Sequence, residues 1–190
     1  MITARPVRST HPTRTTGPVS RTRLASTTPP TRILFVCLGN ICRSPTAEGV
    51  MRAMVCEAGL EDSIELDSAG TGAWHVGNPP DGRATETARV RGIVLEGAAR
   101  VLRREDFDDF DLVLAMDRKN LANLRRLAPD ERARARTRLL REFDPASAGI
   151  DDLDVPDPYY GGPRGFEDVL DLVHAACEGL LAQMRAGQVP

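Results

Sequence analysis

A cysteine and an arginine six positions apart are the residues of this sequence best suited to bind and attack an anion. They frame the segment Cys37-Leu38-Gly39-Asn40-Ile41-Cys42-Arg43. A thiolate is a strong nucleophile, and a guanidinium can donate two parallel hydrogen bonds to phosphate oxygens. Glycine and asparagine, at 39 and 40, most readily adopt the positive φ that a tight loop around an anion requires. The pattern therefore favours a phosphate-binding loop with Cys37 as nucleophile.

The elements on either side of this segment support the same interpretation. The apolar run at 33–36 predicts a buried strand, and Ser44-Pro45 predicts the start of a helix. A loop at a helix N-terminus points backbone N–H groups at its centre, where the helix dipole favours an anion and a thiolate. Attack by sulfur would divide phosphate ester hydrolysis into two steps through a phosphocysteine, and Ser44 can donate a hydrogen bond to the departing sulfur. The alternative is that Cys37 is an inert buried thiol.

A second candidate catalytic group lies in an acidic segment near the end of the sequence. A phenolate-like leaving group needs a positioned acid, and the resulting carboxylate can later take a proton from the attacking water. Asp157 is the candidate, because flanking prolines stiffen its backbone and two tyrosines follow that can line a pocket for a phenyl ring. An ordinary Asp-Pro turn is the alternative here. Four other carboxylates of the segment are rivals: Asp144, Asp151, Asp152 and Asp154.

Strands and helices alternate along the sequence and must place these groups. Apolar runs predict strands over residues 33–36, 64–68, 112–115 and 139–143. Helices are predicted over residues 44–59 with Ser44 as N-cap, 81–91, 117–127 with Asp117 as cap, and 166–184. The alternation predicts an α/β fold with a parallel sheet. Ligands of such sheets bind beyond the carboxyl ends of the strands, which is where the Cys37 loop falls.

Charge is distributed unevenly along the chain. Residues 1–32 hold six of the 25 basic residues and no acidic one, so the remainder, with all 27 acidic residues, has a formal charge of −8. An acidic body disfavours nucleic acid as a partner. No apolar run approaches the ~20 residues that cross a bilayer, so no membrane partner is expected. The four cysteines, without a secretory signal, favour reduced thiols and a cytoplasmic protein.

The N-terminal segment differs in composition from the rest. Residues 1–31 are rich in Thr, Arg, Pro and Ser, which predicts a disordered tail. A targeting peptide and a start codon assigned too early are the alternatives, although five prolines would interrupt an amphipathic helix. We expect a single domain over residues 32–187.

The segments described above resemble those of the low-molecular-weight protein tyrosine phosphatases of the bacterial type. The resemblance rests on Val-Cys-Leu-Gly-Asn-Ile-Cys-Arg-Ser-Pro at 36–45, Asp-Ser-Ala-Gly-Thr at 67–71, residues 74–80, Ala-Met-Asp at 115–117 and Asp-Pro-Tyr-Tyr at 157–160. It extends from about residue 33 into the terminal helix. It implies a three-layer sandwich, with a central four-stranded parallel sheet and helices on both faces, and an enzyme that needs no metal or other cofactor. The implied activity is hydrolysis of phosphotyrosine in protein substrates and of small aryl phosphates, with inorganic phosphate as product and inhibitor.

The resemblance also implies roles for individual residues. Cys37 is the nucleophile, Arg43 binds phosphate and stabilises the transition state, and Asp157 is the general acid and base. Seven residues form the phosphate site: Leu38, Gly39, Asn40, Ile41, Cys42, Arg43 and Ser44. Hydrogen bonds of three residues hold the loop in its strained shape: Asn40, Ser44 and Ser68. The walls of the substrate pocket are Ile41, Trp74, Tyr159 and Tyr160; for Trp74 a core position is the alternative.

Cys42 has a separate implied role as redox partner of Cys37. A low-pKa thiolate is prone to oxidation, and a neighbouring thiol can trap the oxidised sulfur as a disulfide. The alternative is that Cys42 only packs beneath the loop. A zinc site is disfavoured because no second pair of ligands has suitable spacing.

Three other functions compete with phosphotyrosine hydrolysis. Arsenate reduction on a related scaffold needs further relay cysteines, whereas Cys56 and Cys177 fall within predicted helices. Enzymes of similar type that act on phosphoarginine carry Thr where Ile41 stands, and isoleucine offers no hydroxyl to a guanidinium. A phosphotyrosine-binding module without activity should lack the nucleophile or the acid, and both are present.

Overall fold

The centre of the fold is a four-stranded sheet in which every neighbouring pair of strands is parallel. The structure is a computed structural model that describes residues 29–162 and 164–189. The strands, in the spatial order β2-β1-β3-β4, are β1 Thr31–Cys37, β2 Ile64–Gly70, β3 Leu112–Ala115 and β4 Thr137–Leu139. The predicted α/β fold is confirmed.

Helices cover both faces of this sheet. They are α1 Arg43–Ala58, α2 Gly82–Val90, α3 Asp106–Asp109, α4 Arg118–Leu127, α5 Glu131–Ala135 and α6 Arg164–Arg185. Two short 3₁₀ helices cover Leu140–Phe143 and Pro145–Ser147. The short helices α3 and α5 lie where the sequence predicted no element.

The central strand β1 shows why three layers form. Its side chains alternate between the two faces of the sheet, as the pleat requires. Ile33 and Phe35 enter the core that α1, α2 and α6 cover, whereas Leu34 and Val36 enter the core that α3, α4 and α5 cover. All four are fully buried. A strand buried on both faces reads as a continuous apolar run, which is why this strand was predicted correctly.

The prediction of the fourth strand at residues 139–143 was wrong. The strand comprises Thr137–Leu139, and a 3₁₀ helix follows at Leu140–Phe143. The carboxylate of Glu142 accepts a hydrogen bond from the N–H of Leu139 at 2.9 Å, which closes the turn. The buried residues Leu140 and Phe143 are three positions apart, as one face of a 3₁₀ helix requires, and do not alternate.

The predicted cap of α1 was also wrong. The N-cap residue is Cys42, and Ser44 lies inside the first turn of the helix. Its hydroxyl is directed to the sulfur of Cys37 instead of to a backbone N–H of α1. At the other end, Gly59 adopts φ 66° and ends the helix as predicted.

The predicted N-terminal tail, residues 1–31, lies largely outside the described residues. Of its members only 29–31 are described, and Thr31 already begins β1.

Candidate active site

The loop between β1 and α1 lies at the carboxyl edge of the sheet. Cys37 is the last residue of β1 and pairs with Gly70, the last residue of β2. The residues after β2 hold the loop, because Thr71 donates its N–H to the carbonyl of Cys37 at 3.0 Å and Gly72 donates to that of Leu38 at 2.9 Å. Asn40 adopts φ 55°, and no other non-glycine residue in the described ranges has positive φ. The predicted strained loop therefore contains a left-handed residue.

The sulfur of Cys37 lies within hydrogen-bond distance of two groups. The backbone N–H of Asn40 donates to it at 3.2 Å, and the hydroxyl of Ser44 is 3.1 Å away. The same hydroxyl accepts a hydrogen bond from Nδ2 of Asn40 at 2.9 Å. Its own proton is therefore available to the sulfur, since the other acceptor in reach, the carbonyl of Ala69, is farther away at 3.4 Å. Hydrogen bonds of this kind stabilise a thiolate.

The side chain of Asn40 ties the loop to the elements behind it. Its Nδ2 donates to the hydroxyls of Ser44 and Ser68, both at 2.9 Å, and its Oδ1 accepts from the backbone N–H of Arg100 at 2.9 Å. With its oxygen fixed by Arg100, the amide can present only donors to the two serines. The structure thus brings together the three residues predicted to support the loop.

Glu48 extends this network and was missed by the sequence analysis. Its carboxylate accepts from the hydroxyl of Ser68 at 2.7 Å and pairs with Arg52. Burial raises the pKa of Glu48, although the hydrogen bond from Ser68 and the charge of Arg52 act in the opposite direction. The sequence spacing could have indicated this role, because Glu48 lies four residues after Ser44 and therefore on the same face of α1.

Arg43 is buried beside the loop and bonded to two carboxylates. Its Nη1 donates to Oδ2 of Asp117 at 2.6 Å and to the carbonyl of Val155 at 3.1 Å, and its Nη2 donates to Oδ2 of Asp157 at 2.8 Å. Burial acts most strongly on its pKa and lowers it, but the charges of Cys37 and Asp157 and the hydrogen bond to Asp117 together raise it. The guanidinium therefore stays a cation beside the sulfur.

Asp117 was assigned no role other than helix cap from the sequence. It does cap α4, because its Oδ1 accepts from the N–H of Asn120 at 2.6 Å, but its other oxygen holds Arg43. Its position two residues after the end of β3, at the same edge of the sheet as Cys37, was the available signal.

The structure brings the predicted nucleophile, arginine and acid to one cavity of about 350 Å³. The residues that line it are Cys37, Leu38, Gly39, Ile41, Cys42, Arg43, Trp74, His75, Asp157, Tyr159 and Tyr160. Trp74 and Tyr160 are 74% and 94% exposed and form its rim, which excludes a core position for Trp74. His75 was given no role by the sequence analysis, yet a Cβ on Gly39 would lie 3.0 Å from its ring, so the loop packs against it.

Cys42 lines the same cavity as Cys37 and is buried. Burial raises the pKa of its thiol to about 12, and the charges of Asp81 and Cys37 act in the same direction. It is therefore a neutral thiol near pH 7, chemically distinct from a nucleophilic thiolate. Cys56 and Cys177, the other cysteines, do not line the cavity.

This site can bind a dianion and carry out a nucleophilic substitution on it. A sulfur with two hydrogen-bond donors lies beside a buried guanidinium, and a carboxyl group and aromatic rings lie across the same cavity. Comparison with known proteins agrees with this chemistry, since residues 32–189 match the family described as low molecular weight phosphotyrosine protein phosphatase. The chain belongs to this family.

Individual relatives of this phosphatase family cover nearly the same residues. A low molecular weight protein-tyrosine-phosphatase of Streptomyces coelicolor is 55% identical over 154 residues, which is 81% of this chain and 93% of the relative. The crystal structure of YfkJ from Bacillus subtilis superimposes with a TM-score of 0.78 at 42% identity, covering 86% of this chain and 99% of that one. A Drosophila arginine phosphatase, DARP, superimposes with a TM-score of 0.74 at 31% identity, covering 80% of this chain and 97% of that one. The fold alone therefore does not separate a tyrosine from an arginine phosphatase.

Proposed function

We propose that this chain hydrolyses phosphotyrosine in protein substrates, and small aryl phosphates, through a phosphocysteine on Cys37. The observation that carries the proposal is the meeting of Cys37, Arg43 and Asp157 in one cavity with aromatic walls. A phenyl phosphate has a dianionic head for the loop and guanidinium, and a flat ring for Trp74 and Tyr159.

In the first step the thiolate of Cys37 attacks phosphorus and the bond to the phenolic oxygen breaks. The backbone N–H groups of the loop and Arg43 bind the equatorial oxygens, where charge develops. Protonated Asp157 donates its proton to the leaving phenolic oxygen. Nη2 of Arg43, which is bonded to Asp157 in this structure, becomes a phosphate donor, so substrate binding separates the two side chains.

In the second step water attacks the phosphocysteine. Asp157, now a carboxylate, takes the proton of the water, and inorganic phosphate forms as the P–S bond breaks. The electron pair of that bond returns to the sulfur, where the hydroxyl of Ser44 and the N–H of Asn40 stabilise the thiolate. Inorganic phosphate, which fits the same donors, should act as product inhibitor.

The character of Ile41 favours phosphotyrosine over phosphoarginine. Its apolar side chain is 8% exposed and lines the cavity, so it gives no hydrogen bond to a guanidinium but packs well against a phenyl ring. Arsenate reduction is disfavoured by the thiols, because Cys177 is fully buried in α6 and Cys56 lies outside the cavity.

Cys42 is proposed as the redox partner of Cys37. If an oxidant such as a peroxide converts Cys37 to a sulfenic acid, attack by the sulfur of Cys42 forms a disulfide and releases water. Both sulfur-bearing residues line one cavity, which supports this step.

The surroundings of the enzyme are proposed from its surface and composition. We propose a cytoplasmic enzyme whose catalytic domain covers residues 32–187 and whose partners are phosphotyrosine proteins, without nucleic acid or membrane. Within residues 29–162 and 164–189 no helix has both the length and the apolar character needed to span a bilayer.

Turnover of four substrates by four forms of the protein tests the proposal. Wild type should hydrolyse para-nitrophenyl phosphate and phosphotyrosine peptides, and should leave phosphoarginine and arsenate nearly unchanged. Cys37→Ser should abolish turnover yet still bind inorganic phosphate, and Asp157→Asn should lower turnover by about 10²–10⁴-fold. The matched control is Cys56→Ser, since Cys56 is exposed on α1 away from the cavity. Retained activity in Cys37→Ser, or arsenate turnover coupled to a thiol reductant, would contradict the assignment.

A further inference from the structure

Arg83, on α2, contacts three separate parts of the molecule. Its Nε and Nη2 donate to the two carboxylate oxygens of Asp81 at 3.0 and 2.8 Å, and its Nη1 donates to the carbonyl of Tyr159 at 3.1 Å. Its guanidinium carbon lies 5.6 Å from the ring centre of Tyr159 and 4.6 Å from that of Phe166, in α6. Although the side chain is half exposed, its donors are directed to fixed acceptors on both sides.

Each acceptor is bonded in turn to the catalytic machinery. On one side, the N–H of Asp81 donates to the carbonyl of Ile41, in the phosphate loop, at 2.7 Å. On the other side, the N–H of Tyr159 donates to Oδ1 of Asp157 at 3.1 Å. A continuous set of hydrogen bonds therefore runs from the phosphate loop through Arg83 to the carboxyl group of Asp157.

We propose that Arg83 is a positioning residue that holds the general acid over the phosphate loop. This inference rests on the proposed function, because it assigns Arg83 a task only if Asp157 protonates the leaving group. Arg83 itself does not line the cavity and is not expected to touch the substrate.

The need for such an anchor follows from what substrate binding does to Asp157. In this structure its carboxylate has two hydrogen-bond donors, Nη2 of Arg43 and the N–H of Tyr159. The phosphoryl group takes the first of these donors. The N–H of Tyr159 then holds the carboxyl group of Asp157 alone. The position of Tyr159 depends in turn on the hydrogen bond that Arg83 donates to its carbonyl.

Among the described residues, the segment that carries Asp157 is anchored mainly before that residue. Before it, the N–H of Val155 donates to the carbonyl of Met116 at 2.7 Å, and Arg141 donates to the carbonyls of Asp152 and Asp154. Among the described residues between Asp157 and the start of α6 at Arg164, the carbonyl of Tyr159 accepts a hydrogen bond from a side chain of a neighbouring helix, that of Arg83. A displacement of about 1 Å in a catalytic group can lower a rate 10²-fold, so loss of this contact should be visible in the chemical step.

The effect of Arg83 on the position of Asp157 can be separated from its effect on the charge near the phosphate loop. Without the guanidinium, the carboxylate of Asp81 would act on the loop unopposed, and this would slow attack on every substrate alike. A misplaced acid instead slows only those substrates whose leaving group needs a proton. The dependence of kcat/KM on the leaving group isolates the second effect, because kcat/KM includes every step up to loss of the phenol.

The test measures kcat/KM for a series of aryl phosphates from 2,4-dinitrophenyl phosphate, a good leaving group, to phenyl phosphate, a poor one. Relative to wild type, Arg83→Met should lose about tenfold with phenyl phosphate and less than about twofold with 2,4-dinitrophenyl phosphate. Arg83→Lys, whose single ammonium can reach one acceptor but not both, should fall between. The matched control is Arg89→Met on the same helix, because among the described residues Arg89 pairs with Glu86 alone.

Asp157→Asn, measured in parallel, distinguishes the two proposals. If it shows no steeper leaving-group dependence than wild type, Asp157 is not the acid and the proposed function fails together with this inference. If Asp157→Asn shows the dependence while Arg83→Met loses activity equally across the series, or not at all, only the role of Arg83 is overturned. Adding Arg83→Met to Asp157→Asn should cause no further leaving-group-dependent loss, whereas an additive loss would also overturn it.

Discussion

The hydrogen bonds behind Cys37 form a chain that begins at the carboxylate of Glu48. The carboxylate of Glu48 can only accept, so Ser68 donates to it and must accept from Asn40. The same amide donates to Ser44, whose proton is then left for the sulfur. A single buried carboxylate thus orients donors toward Cys37 across three side chains. Asparagine therefore suits position 40 for two reasons. Its amide can donate to both serines, and its backbone accepts the positive φ of the loop.

Cys42 leads to a prediction about pH. Its pKa of about 12 means that its reactive thiolate is scarce at neutral pH and becomes about tenfold more abundant with each pH unit up to that value. After a short peroxide pulse, the sulfenic acid of Cys37 should therefore be captured mainly by dimedone at pH 6 and increasingly by Cys42, as a disulfide, toward pH 9. Mass spectrometry of the two products gives the ratio directly.

The reaction of the sulfenic acid with dimedone serves as an internal clock, so the pH dependence of the first oxidation does not enter the ratio. Cys42→Ser should give the dimedone product at every pH and lose recovery by dithiothreitol. A disulfide fraction that stays constant between pH 6 and pH 9 would contradict a neutral Cys42 thiol.

The loop between β1 and α1 keeps its shape partly because β2 approaches it closely at Gly70. A Cβ at this position would lie 2.9 Å from the carbonyl oxygen of Leu38 and 3.2 Å from Cβ of Asn40. Neither neighbour is the free end of a flexible side chain, so the loop would have to move. This close approach explains the glycine of the Asp-Ser-Ala-Gly-Thr segment, which the sequence analysis used only as part of a resemblance.

Gly70→Ala should therefore damage catalysis more than folding. We expect kcat/KM for para-nitrophenyl phosphate to fall about 10²-fold, because the N–H groups and sulfur are displaced together, and stability to fall by about 1–3 kcal/mol. Gly82→Ala, where an added Cβ meets no heavy atom within 4 Å, is the control and should leave kcat/KM unchanged with no loss of stability. Full activity in Gly70→Ala, measured beside urea unfolding, would show that the loop tolerates the shift.

Elements that form from local signals were predicted well, and those that depend on distant partners were not. The four longest helices and the first three strands followed from apolar runs, turn residues and the cap Asp117. The fourth strand failed because β4 is only three residues long and pairs with β3, and the turn after it depends on the side chain of Glu142. For the same reason Asp117 was recognised as a cap but not as the partner of Arg43, which is distant in sequence.

Across the molecule, the alternation of strands and helices in the sequence was sufficient to predict the layers of the fold, because parallel strands need helical crossovers on their faces. The individual contacts between layers could not be read from the sequence. The clearest case is Gly179 in α6, where an added Cβ would lie 1.9 Å from the carbonyl oxygen of Phe143. The long terminal helix can lie against the 3₁₀ helix at Leu140–Phe143 only because this residue has no side chain.

Gly179→Ala should consequently destabilise the protein, although alanine is the better helix former. Backbone atoms cannot rotate away, so α6 must shift from the core, at a cost of about 2–4 kcal/mol in the free energy of unfolding. Gly165→Ala in the same helix is the matched control: its Cβ would meet Pro158 at an ordinary 3.6 Å, so stability should rise by up to about 1 kcal/mol. Thermal unfolding should move Tm in opposite directions for the two variants. Equal shifts would mean that helix propensity, and not the contact with Phe143, governs position 179. In either case the folded fraction of Gly179→Ala should keep the wild-type KM, because Gly179 does not line the catalytic cavity.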